Sequence, residues 1–88
     1  MMTDVFIGLG SNLKDPAAQL ARAVSALANL PETVLVAQSP FYASRPVGPQ
    51  DQPDFVNGAV WLRTSLLPHQ LLDELQNVEQ QHGRERLR

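Results

Sequence analysis

The chain has no cysteine, which excludes disulfides, thiolate metal sites and a cysteine nucleophile. That absence fits a reducing compartment. No apolar run approaches the ~18 residues of a membrane span, and Met1-Met2-Thr3-Asp4 lacks the basic start of a signal peptide. The expectation is a soluble, cytoplasmic protein with no membrane partner. A basic balance is missing as well: the net charge is −2, which argues against general nucleic-acid binding. The charge is unevenly placed. Residues 1–83 carry four Lys/Arg against eight Asp/Glu, whereas the last five residues carry three Arg against one Glu. There is no internal repeat and no low-complexity tract. What remains is ordinary globular material, 43% hydrophobic over 88 residues, forming one small domain over 1–88 with a thin margin of stability.

Hydrophobic spacing gives the order of elements. Val5-Phe6-Ile7-Gly8-Leu9 reads as a buried strand with Val5, Ile7 and Leu9 on one face, closed by a tight turn at Gly10-Ser11-Asn12. Asp15 can cap a helix that Pro16 opens. Its stripe is Leu20, Val24 and Leu27, widened by Ala17, Ala21 and Ala28, and Asn29-Leu30-Pro31 ends it. A β-branched second strand runs from Thr33 to Ser39 and stops before Pro40. A third strand covers Phe55 to Thr64, with Val56, Gly58, Val60 and Leu62 on one face and Phe55, Asn57, Ala59, Trp61 and Arg63 on the other. Pro68 opens a second helix with the stripe Leu71, Leu75 and Val78, and Gly83 serves as its C-cap.

The order strand–helix–strand–strand–helix begins a βαββαβ ferredoxin-like α/β (α+β) sandwich. The five residues after Gly83, four of them charged, cannot supply the closing strand, so the expectation is βαββα alone.

Chemistry concentrates between the second and third strands. Arg45 to Asn57 holds three prolines, a glycine and several polar side chains. Proline fixes φ and lowers the entropic cost of holding one conformation, as in a ligand-binding loop, although composition alone favours an ordinary surface connection. Asn57 and Phe55 share a strand face, an amide beside an aromatic ring. That pair suits a flat heteroaromatic ring with a mixed hydrogen-bonding edge. Gly8-Leu9-Gly10 after a strand invites a dinucleotide reading but lacks the third glycine and the later acidic residue. Gln76 and Glu79 are either a solvated helix face or ligand contacts. Arg84 and Arg86 are either a frayed tail or a clamp on one phosphate chain. His69 and His82 stand 13 residues apart with no acidic pair at metal-ligand spacing, and neither is assigned to metal or catalysis. No Ser-His-Asp arrangement follows from the spacing.

Three blocks carry a family resemblance: Ile7-Gly8-Leu9-Gly10-Ser11-Asn12-Leu13, Pro46-Val47-Gly48-Pro49-Gln50-Asp51-Gln52-Pro53-Asp54-Phe55-Val56-Asn57, and Glu79 with Gly83-Arg84-Glu85-Arg86. Over essentially its whole length the chain resembles the N-terminal half of the 6-hydroxymethyl-7,8-dihydropterin pyrophosphokinases. The resemblance implies pyrophosphate transfer from ATP to the hydroxymethyl group of that pterin in folate biosynthesis, with Mg2+ as cofactor. It implies a pterin pocket at Ser44 and Val47, largely through backbone groups, with Phe55 stacking on the ring and Asn57 hydrogen-bonding its edge. It further implies Gln76 and Glu79 beside the nucleotide, and Arg84 and Arg86 as catalytic and ATP-contacting residues on a mobile loop. The role of Arg45 stays open.

The family's Trp-Gly-Pro-Arg-Thr-Leu-Asp-Leu-Asp segment, whose aspartates bind two magnesium ions, is not in this sequence. No metal ligand is therefore assigned, the ligands are expected downstream, and the 88 residues alone are expected to be inactive. The family implies a monomer, and a cut sheet edge invites self-association. A free-standing pterin- or nucleotide-binding ferredoxin-like module without catalysis is the alternative. An RNA-recognition module is disfavoured, because only Phe55 and Trp61 share a face and the charge is acidic.

Overall fold

Alternation along residues 55–64 produces the strand around which the other elements assemble. The computed structural model describes residues 1–45 and 54–81 and the backbone of 86–87. The chain forms β1 (Thr3–Ser11), α1 (Pro16–Ala28), β2 (Thr33–Gln38), β3 (Tyr42–Ser44), β4 (Phe55–Thr64), α2 (Pro68–Gln81) and β5 (Arg86–Leu87). The sheet runs β2-β4-β1-β5, with β3 also on β4, and every pairing is antiparallel. This is the ferredoxin-like arrangement expected from the sequence.

On β4 the even residues from Gly58 to Thr64 are buried, and with Val56 they face the helices. Val60 and Leu62 meet Ile7 and Leu9 of β1, Leu20, Ala23, Val24 and Leu27 of α1, and Leu71 and Val78 of α2 in a single core. Burial on this one face is the main stabilising contribution. The opposite face carries no helix among the described residues, and Phe6, Val34 and Tyr42 on it are exposed.

Five expectations need correction. β1 does not turn at Gly10 but continues through Ser11, with Gly8 and Gly10 inside the strand. The turn follows it, where the Leu13 N–H donates to Ser11 Oγ at 3.3 Å. Asp15 stands at the N-cap of α1 but makes no side-chain cap, because its backbone is left-handed (φ 57°, ψ 57°) instead of extended. The α1 stripe is widened by Ala23, while Ala17 and Ala21 are exposed. β3 is an additional short strand, since Pro40 lacks an N–H and interrupts the edge. Ser39 bridges the interruption, its Oγ accepting from the Ala59 N–H at 2.9 Å. Finally, Arg86 and Leu87 do pair with β1, at Gly10 and Leu9, so the closing position of the sheet is entered by two residues. The α2 C-cap expected at Gly83 lies outside the described residues.

From Thr3 to Gly8 the outer edge of β1 has no partner strand among the described residues. Beside it an apolar groove of about 490 Å³ opens between Phe6, Leu71, Leu72 and Leu75. At the other end, Phe41 packs on Gly58 so closely that a Cβ there would stand 2.9 Å from Phe41 Cδ1. Gly58→Ala is therefore expected to displace the ring and cost about 1 kcal/mol, the low end for overpacking because Phe41 is only half-buried. The midpoint of urea unfolding reads this directly, and an unshifted midpoint contradicts it.

Candidate functional site

The helix-free face of the sheet gathers the polar and aromatic side chains that the core excludes. Register sets their order. Phe6 is opposite Trp61, Gly8 opposite Ala59 and Gly10 opposite Asn57. On the other side of β4, Tyr42 is opposite Asn57 and Ser44 opposite Phe55. Cross-strand neighbours share a face, so Ser44, Phe55 and Asn57 are brought together as expected. The contact joining them is a side-chain hydrogen bond, Asn57 Nδ2 donating to Ser44 Oγ at 2.7 Å. The Ser44 hydroxyl is thereby engaged with the Asn57 amide.

The glycine pair of β1 forms the floor beside this cluster. A Cβ on Gly10 would lie 3.3 Å from Asn57 Oδ1, tighter than most carbon contacts, so the absent side chain is what lets the amide lie over β1. A depression of about 100 Å³ is lined by Gly8, Leu9, Gly10, Tyr42, Asn57 and Gly58. Gly8, Gly10 and Tyr42 are the members that sequence reasoning missed. Two glycines inside an apolar strand were the available signal, since they mark close approach of another group.

Farther along the same face, Phe6 stacks on Trp61 with ring centroids 5.7 Å apart and planes 27° apart. The Arg63 guanidinium lies 5.6 Å from the Trp61 ring centre and its Nε donates to Asp4 Oδ1 at 2.9 Å. That bond holds the Asp4 carboxyl below the ordinary carboxylate range. The buried Trp61 indole N–H, which meets hydrogen-bonding geometry with no partner among the described residues, pulls in the same direction more weakly. This ion pair is solvent-exposed and a minor contributor to stability.

The remaining expected residues fall elsewhere. Gln76 is exposed and Glu79 half-buried on the last turns of α2. Arg45 is exposed just beyond β3. The backbone of Arg86 pairs with Gly10, in the same row of the sheet as Asn57. Val47, Arg84 and His82 lie outside the described residues. No helix of the described residues is long and apolar enough to cross a membrane.

A model of the 7,8-dihydro-6-hydroxymethylpterin-pyrophosphokinase family matches residues 6–88. The chain is 52% identical over 87 residues to a 2-amino-4-hydroxy-6-hydroxymethyldihydropteridine pyrophosphokinase of Haemophilus influenzae, covering 99% of this chain and 54% of that protein. Identity to the Pseudomonas aeruginosa protein of the same name is 52% over 86 residues, covering 98% of this chain and 53% of that protein. The Bacillus subtilis protein of that name is 40% identical over 81 residues, with coverages of 92% and 48%. The chain thus spans about half the length of the curated relatives it matches. Matched from the first strand to its last residue, it belongs to the 7,8-dihydro-6-hydroxymethylpterin-pyrophosphokinase family.

Proposed function

We propose that this chain supplies the pterin-binding part of an enzyme that transfers pyrophosphate from ATP to the hydroxymethyl group of 6-hydroxymethyl-7,8-dihydropterin, leaving AMP, in folate biosynthesis. In that reaction the hydroxymethyl oxygen bonds to the β-phosphorus, the bond from that phosphorus to the bridging oxygen of AMP breaks, and the hydroxyl proton leaves. The reading rests on family membership, and the observation that carries the pocket is the joining of Ser44 and Asn57 beside Phe55 on one open face.

Each residue contributes by a different physical effect. Phe55 offers an aromatic surface for stacking. Asn57 keeps one Nδ2 proton and its Oδ1 for the ring edge after the bond to Ser44. Val47 and the prolines around it would pre-form one wall, lowering the ordering cost of binding. Gln76 and Glu79 would border the nucleotide, and Arg84 and Arg86 would neutralise phosphate charge, since such transfer depends chiefly on alignment and electrostatic stabilisation. Among the described residues no three His, Cys, Asp or Glu side chains form a metal site. They do not fit as a magnesium cage, and no step is assigned to an ion held by them. A cytoplasmic setting, where ATP is plentiful, fits this reading.

Replacing Asn57 by alanine is expected to weaken pterin binding about tenfold or more, the value of one to two neutral hydrogen bonds. Titration calorimetry with the protein of complete coded length, Mg2+ and a non-hydrolysable ATP analogue measures this. An unchanged affinity would remove Asn57 from the pocket.

A further inference from the structure

The two edges of the sheet are built differently. On the far side, β2 carries a register shift between Leu35 and Ala37 and is followed by Pro40. Bulges and prolines keep other strands off an edge. The β1 edge has neither. Its pairing with β4 runs in unbroken register from Thr3 to Ser11, and Thr3 to Gly8 contains no proline or lysine. The one charge there, Asp4, is drawn to Arg63 of β4 at 2.9 Å, on the inner side of the strand. β5 covers only Leu9 and Gly10, so the outward backbone groups from Thr3 to Gly8 meet no strand among the described residues. Alongside them lies the groove of about 490 Å³, walled by Leu71, Leu72 and Leu75 of α2, with no charged residue in its lining. Phe6 and Leu72 at its rim are exposed.

We propose that this edge and groove form a self-association surface, occupied by the same edge of a second copy of the 88-residue chain. That surface stands apart from the pterin pocket, since Asn57 lies opposite Gly10, outside the free stretch. The occupant is indicated by the way the strand matches itself. Residues opposite one another in an antiparallel pair share a face, so Val5 and Ile7 stay on the helix side only when odd residues oppose odd ones. The register centred on Val5 meets this condition. It sets Val5 opposite its counterpart, Thr3 opposite Ile7 and Asp4 opposite Phe6, and it ends before Leu9, where β5 is seated. No like charges meet, because Asp4 is the one charged residue of the stretch. A two-fold axis through Val5, perpendicular to the sheet, places both α2 helices on the same side and brings the two grooves together. Leu72 and Leu75 of each copy then leave water along with the joined edges, adding apolar burial to the backbone hydrogen bonds.

Light scattering on the purified 88-residue chain, across about a hundredfold range of concentration, follows the association by mass action. The mass is expected to rise from that of one chain to that of two and to stop there. Phe6→Lys puts a charge on the free edge and is expected to weaken the association about tenfold or more. Leu72→Glu, in the groove, is expected to weaken it likewise. Val34→Lys makes the same kind of change at an exposed position of β2, the blunted edge, and is expected to leave the association unmoved. A second measurement uses the absence of cysteine from the chain. Val5→Cys, which stands opposite itself, is expected to form a disulfide between copies on oxidation. Thr3→Cys, whose counterpart lies at the other end of the pair, is expected not to. A single-chain mass at every concentration overturns the proposal and gives the groove to another occupant. Masses that climb past two chains overturn it as well, since they mark open aggregation, and so does equal weakening by Val34→Lys. Cross-linking of Thr3→Cys in preference to Val5→Cys overturns the register and with it the self-match.

Discussion

Leu62→Ala is expected to lower the free energy of unfolding by about 2–5 kcal/mol, the range for emptying a large aliphatic position in a packed core. Leu62 has no exposed surface. It sits in the middle strand between Val5 of β1 and Leu35 of β2 and belongs to the cluster beneath α1. Few neighbours can collapse into the space, because both flanking strands are held by ladder bonds. A domain of this length has a total stability of about 4–13 kcal/mol by the usual per-residue scale. The loss is therefore a large share of the whole, and the variant should populate the unfolded state measurably near physiological temperature. Urea unfolding with an unchanged slope and a lower midpoint is the expected pattern. A loss below about 1 kcal/mol would mean that the site relaxes or that the core is looser than its burial indicates.

Thr64→Val is expected to cost about 2 kcal/mol although it preserves shape. Thr64 is 1% exposed and its hydroxyl links two turns. The Leu66 N–H donates to Thr64 Oγ1 at 3.1 Å. Thr64 Oγ1 lies 2.8 Å from Thr33 Oγ1 and 3.2 Å from the Glu32 carbonyl, and Thr33 Oγ1 lies 2.8 Å from the Pro31 carbonyl. Each hydroxyl has one proton, so the chain runs either from Thr64 through Thr33 to Pro31 or from Thr33 through Thr64 to Glu32. Valine removes the acceptor for Leu66 and breaks both routes, and an orphaned, part-buried donor costs about 1–3 kcal/mol. Glu32 depends on the same network, since its backbone is left-handed at φ 53° and its carbonyl also accepts from the Ser65 N–H at 3.0 Å. Amide exchange at Leu66 and Ser65 should accelerate together in the variant. Unchanged protection at both would show that Thr64 is only filling space.

Much of this architecture was legible in advance because it depends on period and composition. Burial alternates from Gly58 to Thr64, and the two faces of residues 55–64, with Phe55 grouped with Asn57, follow from the period of two. Leu20, Val24 and Leu27, and likewise Leu71, Leu75 and Val78, recur at helical spacing and pack as expected. What could not be read depends on partners distant in sequence. Gly10 looks like a turn residue until Asn57 is seen above it. Ala21 and Ala23 are equivalent in composition, and only the direction of approach of the sheet separates the exposed one from the buried one. The left-handed Asp15 and Glu32 carry no local signature, since neither is glycine. β3 is three residues long, too short for any alternation to stand out between Pro40 and Pro46. In the site, the amide and ring types were readable, but the bond from Asn57 to Ser44 needed the register of β3.

The way β4 enters the sheet also governs how the molecule is made. β4 lies between β1 and β2, so Thr3 is joined to Thr64 and Ser11 to Val56, each link connecting segments far apart along the chain. On a ribosome β1 emerges first and stays unpaired until β4 follows it, while α1 can already coil. Such non-local closure slows folding relative to helical domains of similar size and leaves an apolar strand transiently open to other chains. The same insertion keeps this strand without a mate until β4 has been made.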